Sequence, residues 1–378
     1  MSATPQLLLD LNFCRQRQRR LIDWMQCQNI DRALLVSHDN VQYFTGFRPH
    51  RLMSAAVLLK TDGSCTLIAP NEAPSHAAAD EIISFAAQHY ATLRQDQVSA
   101  IAPLLEKVAG PASNRARWGV EFACCPAALL NALGIEKNSV QLADVEPALW
   151  QIRRRKDPDE LAMIGRAIAC SEAMYAKARD IIEQGLTEIE VYNELQAAAV
   201  EVAGEPLTAF GNDFQCGTPG GPPRPRAIEA GELYILDLGP AYRGYYADSC
   251  RTFAVSPTLT DLQRRAWDKL VEVLQMVEET VKPGISCKQL FLRSKEMLDA
   301  YLPGAFFHHL GHGVGIFPHE APHLNSAWDD HFEEGDVFTA EPGLYTVELR
   351  GGIRLEHMYR VTATGIERLI RTPLEMTK

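Results

Sequence analysis

The sequence predicts two domains, an α/β domain in residues 1–152 followed by an α+β domain in residues 153–378. Two observations support this division. The chain of 378 residues is longer than a single hydrophobic core usually supports. Strand-like and helix-like segments alternate up to a basic, turn-like stretch at 153–158, and long helical patterns flank strand-like segments beyond it.

In the first domain, the apolar pattern predicts a helix over 15–28 and buried strands over 32–36, 55–59 and 65–68. The turn-forming stretch 61–63 separates the last two strands. Strands separated by helical patterns are typical of an α/β domain.

Helix starts mark the second domain. Asp159 and Glu160 open a helix that Gly185 ends, and the Gly- and Pro-rich segment 217–226 must form a loop. Three further helix starts carry the capping-box pattern, in which a hydroxyl side chain and a residue three positions later satisfy backbone amides reciprocally. The three pairs are Thr187 with Glu190, Thr260 with Gln263, and Ser286 with Gln289.

Composition excludes several classes of function. The formal net charge of -11 argues against general nucleic-acid binding, which needs clustered Lys and Arg. The sequence has no apolar run long enough for a membrane-spanning helix, and its first residues lack the basic region of a secretory signal. The nine cysteines are odd in number and scattered, which favours a reduced, cytoplasmic setting. We therefore expect a cytoplasmic protein with no nucleic-acid or membrane partner.

Two segments, 233–238 and 245–253, have strand patterns and a short connection between them. A hairpin folded symmetrically about residues 242 and 243 places Asp237 opposite Asp248. Opposed like charges with Cβ atoms about 5 Å apart are destabilising, and a divalent cation between them would compensate. A register shift of one residue would turn one carboxylate to the other face, so a purely structural pair stays the alternative.

A second pair of carboxylates lies near the C-terminus. Segments 337–341 and 353–356 predict another symmetric hairpin, which places Glu341 opposite Glu356. His312 lies between two glycines, which allow the backbone to approach a crowded site closely. Four carboxylates and one imidazole suit a two-metal site that binds and activates a water molecule.

Short motifs follow one another in the second domain: Asp237-Leu238-Gly239 with Asp248 eleven residues later, Gly311-His312-Gly313, Glu341-Pro342-Gly343 and Arg354-Leu355-Glu356. Together they resemble the pita-bread metallopeptidase family, which includes Xaa-Pro dipeptidases, Xaa-Pro aminopeptidases and methionine aminopeptidases. Segment 39–47 resembles the N-terminal domain of the Xaa-Pro and creatinase branch. The resemblance implies a creatinase-like N-terminal domain and a pita-bread catalytic domain.

The resemblance also implies roles for the motif residues. Asp237 would bind one of two divalent ions, and Asp248 and Glu356 would bridge both. His312 and Glu341 would complete the second ion's site. Glu341 would also pass a proton from the attacking water to the leaving nitrogen. Manganese is the expected metal, and zinc, cobalt and iron accept the same ligand set.

Further residues match family positions outside the metal ligands. His308 and His319 match histidines that contact substrate or stabilise the tetrahedral intermediate. Arg354 matches an arginine near the metals, and we expect it to bind substrate. Three other histidines match no family position, and we expect them at the surface: His309, His323 and His331. Members of this branch commonly pair, so the resemblance implies a homodimer.

The chain departs from the peptidase pattern at one position. Peptidases of the family carry a histidine about seventeen residues before the first ligand aspartate, and here that count falls on Gly220. Arg224 and Arg226 lie in the same loop, where they either bind a substrate carboxylate or remain as solvated charges. With one substrate contact missing, we expect a preference for small substrates over long peptides, either an Xaa-Pro dipeptide or a compact amide bound through its carboxylate.

Three functions remain open at this point. The first is a dinuclear-metal hydrolase that cleaves Xaa-Pro dipeptides or short peptides through a metal-bound hydroxide. The second is a relative of creatinases and ectoine-derivative hydrolases, which cleaves a small non-peptide C–N bond. The third is a non-catalytic pita-bread domain that binds proteins. Such a domain is expected to lose metal ligands, whereas this sequence retains all five.

Overall fold

The computed structural model describes residues 6–110, 116–135 and 141–377. They form two compact units. The first is Leu8–Arg153, and the second begins at Arg154 and includes Gln6 and Leu7. Within the described part of the chain, no helix has both the length and the apolar composition that a membrane span requires.

The first unit is built around a six-stranded mixed sheet. The strands of this sheet are β1 (Arg32–Leu35), β2 (Ala56–Lys60), β3 (Cys65–Pro70), β4 (Glu81–Phe85), β7 (Trp118–Val120) and β8 (Leu142–Asp144). A separate two-stranded pair consists of β5 (Gln88–His89) and β6 (Thr92–Leu93). The helices are α1 (Leu11–Cys27), α2 (His38–Thr45), α3 (Gln97–Ala109), α4 (Ala127–Ala132) and α5 (Glu146–Arg154). The order across the sheet is β4-β3-β2-β1-β7-β8. This architecture confirms the predicted α/β domain.

Predicted and observed elements of the first unit agree to within a few residues. The three predicted strands are β1, β2 and β3. The predicted helix is α1, which begins at Leu11, earlier than expected. The reason is a cap: the Asp10 side chain accepts a hydrogen bond from the backbone N–H of Asn12.

The second unit combines four helices with short antiparallel strands. The helices are α6 (Pro158–Ile181), α7 (Glu188–Ala203), α8 (Asp261–Thr280) and α9 (Cys287–Asp299). The strands are β9 (Ala209–Phe210), β10 (Leu233–Leu238), β11 (Pro240–Tyr242), β12 (Tyr245–Tyr246), β13 (Ser249–Ala254), β14 (Gly311–Gly313), β15 (Glu320–Leu324), β16 (Val337–Ala340), β17 (Gly343–Leu344), β18 (Ile353–Arg354), β19 (His357–Val361) and β20 (Ile366–Arg368), with a 3₁₀ turn at Val347–Leu349. This composition confirms the predicted α+β domain.

Apolar residues of α8 and α9 pack with a five-stranded sheet of order β15-β14-β16-β19-β20. Leu270 and Phe291 on the helices share one core with Phe338 and Tyr359 on the sheet. The predicted helix caps help to place these elements. Full capping boxes begin α7 and α8, and the Ser286 side chain caps α9.

The first predicted hairpin register is wrong by two residues. Asp237 pairs with Cys250 rather than with Asp248. The turn is centred on Arg243 and Gly244, which both have positive φ, one position later than expected. This two-residue turn matches the twist of the flanking strands. A shift of two residues preserves the face, so Asp248 still lies on the same side as Asp237.

The second predicted hairpin has the expected register. Gly343 pairs with Arg354 between β17 and β18, and Ala340 pairs with His357 between β16 and β19. Glu341 and Glu356 lie between these two ladders, at positions opposite each other by the same register.

Candidate metal centre

All five predicted metal ligands line one cavity of about 280 Å³ in the second unit. Asp237 lies near the end of β10, and Asp248 immediately precedes β13. His312 is the central residue of β14, while Glu341 and Glu356 follow β16 and β18. The second unit therefore brings together, from five strands or their ends, side chains that are up to 119 residues apart in sequence.

His312 is held in the tautomer that a metal ion requires. Its Nδ1 lies 3.1 Å from the Gly313 carbonyl oxygen, which can only accept, so the proton is on Nδ1. The Nε2 lone pair then faces carboxylate oxygens of Glu341 at 3.5 Å and Asp248 at 3.7 Å. Burial keeps the pKa of His312 well below its usual range, so the ring stays neutral. Lone pairs that face one another in this way need a proton or a metal cation between them.

The carboxylates of the cavity are crowded and poorly solvated. The side chains of Asp237, Asp248 and Glu341 are 16%, 15% and 8% exposed, and Glu356 is 1% exposed. Burial raises the pKa of Asp237 and holds those of Asp248 and Glu356 well above their usual range. Burial, reinforced by the charge of Asp237, raises the pKa of Glu341 to about 8. Without added positive charge, these groups cannot all ionise near neutral pH.

The donor set fits a divalent cation. Ligand atoms of Asp248, His312 and Glu356 lie within 4.8 Å of one another. The Glu356 Oε2 atom is buried and has no hydrogen-bond partner, which is costly for a carboxylate oxygen unless a cation binds it. Carboxylate and imidazole ligands together suit manganese, iron, cobalt or zinc.

Both predicted catalytic histidines line the cavity, but they differ in what their nitrogens can do. His308 Nδ1 lies 2.7 Å from the His309 carbonyl oxygen, and its Nε2 lies 2.8 Å from the Tyr345 hydroxyl. Both ring nitrogens of His308 are therefore occupied. Burial lowers the pKa of His308 to about 3, which keeps it neutral. His319 stacks on His312 with ring centroids 3.7 Å apart.

His309 corrects a prediction. The sequence analysis places it at the surface, but it lines the cavity, and its Nδ1 atom lies 3.5 Å from Glu341 Oε1. That nitrogen is buried and makes no hydrogen bond. Two adjacent histidines give no sequence signal for which ring faces the site. His323 does pair outside the cavity, with Asp330 at 2.8 Å, and His331 is exposed.

The structure places Arg224 and Arg226 away from the cavity, which corrects the substrate-binding role expected for them. Arg224 forms a two-bond pair with Glu188, at 2.6 and 2.9 Å, and Glu188 is fully buried. Arg226 pairs with Glu232 at 2.6 and 3.0 Å. A buried carboxylate such as Glu188 requires a partner, so these guanidinium groups support the loop rather than a ligand.

Asp213 and Tyr345 also line the cavity, although no sequence motif marks them. Arg354 donates to Tyr345 OH at 3.0 Å, to Asp237 at 2.7 Å and to Asp213. Arg354 therefore lies beside Asp237, one of the predicted metal ligands. Asp213 lies in a loop without a recognisable motif, so only the folded chain reveals it.

Comparison with known families assigns residues 162–363 to metallopeptidase family M24 and residues 17–155 to the creatinase/prolidase N-terminal domain. The M24 match covers more than half of the 378 residues. The chain therefore belongs to metallopeptidase family M24. Family membership makes it a metal-dependent hydrolase and implies the use of divalent metal ions.

Individual relatives cover nearly the whole chain. It is 26% identical over 371 residues to the Xaa-Pro dipeptidase of Pyrococcus horikoshii, which is 97% of this chain and 100% of that one. It is 27% identical to a putative dipeptidase of Bacillus subtilis, over 95% of this chain and 99% of the relative.

Solved structures have the same fold. The prolidase from Pyrococcus horikoshii superposes with a TM-score of 0.79 at 24% identity, covering 96% of this chain and 99% of that one. An Xaa-Pro dipeptidase from Bacillus anthracis superposes with a TM-score of 0.80 at 23% identity, over the same shares. The predicted creatinase-type and pita-bread folds are thus confirmed.

The raised pKa of Glu341 predicts that the chelator-treated protein loses stability as pH rises from 7 to 8. A carboxyl group with a pKa near 8 when folded and 4.5 when unfolded binds its proton only in the folded chain over this interval. Stability then falls with increasing pH. Excess Mn²⁺ should remove the loss, because the ion binds the ionised carboxylates. Thermal unfolding at pH 7 and pH 8, with chelator or Mn²⁺, measures both effects.

A Glu341→Gln variant is the control, since it lacks the titrating group and should show a smaller loss under chelation. Chelated wild-type protein that is as stable at pH 8 as at pH 7 would contradict this account of the carboxylate cluster.

Proposed function

We propose that this chain hydrolyses Xaa-Pro dipeptides or other short peptides at a centre of two divalent metal ions. One observation carries the proposal: in a single buried cavity, the lone pair of a neutral His312 faces the carboxylates of Asp248 and Glu341 at 3.7 and 3.5 Å. The Xaa-Pro dipeptidase of Pyrococcus horikoshii, similar over 97% of the chain, supports the peptide class.

The charge of the cavity supports two ions rather than one. The carboxylates that line it are Asp213, Asp237, Asp248, Glu341 and Glu356, and Arg354 is the one Lys or Arg among the described lining residues. This set leaves four negative charges, which two divalent ions neutralise. In the proposed arrangement, Asp237 would hold one ion, His312 and Glu341 would hold the other, and Asp248 and Glu356 would contribute to both sites. Manganese is the first choice of metal.

The ions, when bound, supply an activated water molecule and polarise the scissile carbonyl. Glu341 is the residue placed to move the proton. Its Oε1 accepts a hydrogen bond from Thr339 Oγ1 at 3.3 Å and lies 3.5 Å from His309 Nδ1. These neighbours restrict the orientation of the carboxylate. Glu341 can then take a proton from the water and give it to the leaving nitrogen.

The histidines of the cavity divide between support and substrate contact. His308 has both nitrogens occupied, so we propose that it orients Tyr345 rather than touching substrate. His319 and His309 also line the cavity, and His309 Nδ1 makes no hydrogen bond. We propose that these two contact the scissile amide and the tetrahedral intermediate, where a hydrogen-bond donor stabilises developing charge.

Gly220 supports a second candidate function, the hydrolysis of a small non-peptide C–N bond. The segment around Gly220 lines the cavity through Pro219 and brings no histidine to it. The substrate contact expected of peptidases is therefore missing from the described lining. A creatinase-like or ectoine-hydrolase-like enzyme would use the same metal ligands on a compact amide.

The family resemblance supports a homodimer, and the cysteines support a reducing compartment such as the cytoplasm. All nine cysteines carry free thiols, and six of them are buried. We propose both properties for this chain by analogy with its family.

Replacing Glu341 with Gln should reduce kcat by at least about a hundredfold at saturating Mn²⁺, because an amide can neither accept nor return the proton. Steady-state hydrolysis of Ala-Pro, with metal content measured on the same sample, tests this. Glu348→Gln, the same change at the exposed tip of that hairpin, is the matched control and should leave kcat unchanged. Near-normal turnover by fully metallated Glu341→Gln protein would show that another group moves the proton.

Substrate length gives a further prediction. Because a positioning contact near Gly220 is missing, we expect kcat/KM for Ala-Pro to exceed that for a pentapeptide beginning Ala-Pro by about tenfold or more. Parallel assays of both peptides and of a small cyclic amide measure the preference. Efficient cleavage of the pentapeptide would refute the size restriction. Cleavage of the cyclic amide alone would replace the peptidase proposal by the second candidate.

A further inference from the structure

Asp213 is an acidic wall residue of the cavity that is not one of the five predicted ligands. Its loop runs antiparallel to β10: the Asp237 N–H donates to the Asp213 carbonyl oxygen at 3.0 Å, and the Asn212 N–H donates to the Asp237 carbonyl oxygen at 3.2 Å. This bridge places the Asp213 side chain beside the first metal ligand. The backbone thus holds Asp213 at the site without any help from a metal ion.

The Asp213 carboxylate engages the guanidinium group of the cavity. Its Oδ1 accepts from the Gly221 N–H at 2.6 Å, and its Oδ2 accepts from Arg354 Nη2. The same Nη2 donates to Asp237 Oδ2 at 2.7 Å, while Nη1 donates to Tyr345 OH at 3.0 Å. Arg354 Nε is buried without a partner. The guanidinium is therefore shared between two carboxylates and the Tyr345 hydroxyl.

This sharing has a consequence for substrates that carry a carboxylate. Among the described residues that line the cavity, Arg354 is the only Lys or Arg. Arg224 and Arg226 are paired with Glu188 and Glu232 outside it. A carboxylate entering the cavity must therefore compete with Asp213 for Arg354, and Asp213 also repels it.

Gly220 makes room for this arrangement. A Cβ atom at Gly220 would lie 2.5 Å from Asp213 Oδ2 and 2.6 Å from Oδ1, closer than non-bonded atoms can approach. Any side chain at this position, the family's histidine included, would push the carboxylate from its place between Gly221 and Arg354. The observed position of the Asp213 carboxylate therefore requires glycine at position 220.

We propose that Asp213 is a specificity-determining residue, which withholds Arg354 from a substrate's free carboxylate, so that an Xaa-Pro dipeptide is bound without an ion pair between its carboxylate and Arg354. This inference rests on the proposed function, because it concerns the substrate of the same cavity. It revises the expectation that a small substrate is bound through its carboxylate.

The test compares L-proline, which has a free carboxylate, with L-prolinamide, which does not. Binding of both to Mn²⁺-loaded protein is measured by titration calorimetry. Asp213→Asn keeps the shape of the side chain but removes its charge and frees Arg354. We expect it to tighten proline binding relative to prolinamide by about tenfold or more, the effect of one charge-assisted hydrogen bond.

Gly220→Ala is a second, independent variant. It keeps the charge of Asp213 but displaces the carboxylate, so we expect a smaller shift in the same direction. The matched control is Gly165→Ala, where an added Cβ meets nothing within 4 Å, and the binding ratio should stay at the wild-type value. If Asp213→Asn fails to fold or to load metal, the Gly220→Ala ratio decides the question.

Two results would overturn the proposal. One is an unchanged proline-to-prolinamide ratio in folded, metal-loaded protein with Asp213→Asn or, failing that, Gly220→Ala. The other is a shift that persists when Arg354→Gln is added, because the freed guanidinium would then not be its cause. If wild-type protein cleaves no Xaa-Pro peptide, the proposed function fails, while the binding ratios still decide the role of Asp213.

Discussion

Repulsion among the buried carboxylates of the cavity is the interaction that the second unit must balance. Asp237, Asp248, Glu341 and Glu356 come from separate strands, and His312 adds a lone pair rather than a positive charge. A cluster of this kind is stable only if protons or cations neutralise it. Membership of metallopeptidase family M24 indicates metal ions. The excess of negative charge in the cavity is therefore what a metal-binding site of this family requires.

Directional hydrogen bonds complete this balance. Arg354 can only donate, so the Tyr345 hydroxyl accepts from it and donates to His308 Nε2. His308 Nδ1 then donates to the His309 carbonyl oxygen. The His309 ring lies beside Glu341. This series of hydrogen bonds uses both ring nitrogens of His308. At its other end, Asp213 engages Arg354, so one guanidinium links the metal ligands, the histidines and the substrate cavity.

The sequence was sufficient for the domain types and for the second hairpin, where the strands pair symmetrically about the connection 345–352 and no bulge or displaced turn shifts the register. It was insufficient for the first hairpin, where Gly244 moves the turn by one position. It was also insufficient where contacts are made between distant segments. The partner of Arg224 is Glu188 on α7, and Asp213 acquires its role only beside Asp237 and Arg354. No local pattern encodes such contacts.

Anomalous diffraction from crystals of Mn²⁺-equilibrated protein tests the central claim most directly. The account predicts two anomalous peaks in the cavity, both within about 2.0–2.3 Å of oxygens of Asp248 and Glu356. One peak should also contact Asp237, and the other should contact His312 Nε2 and Glu341. A cavity with no peak, or with a single peak bound by some of these residues only, would contradict the claim that this carboxylate cluster exists to hold two metal ions.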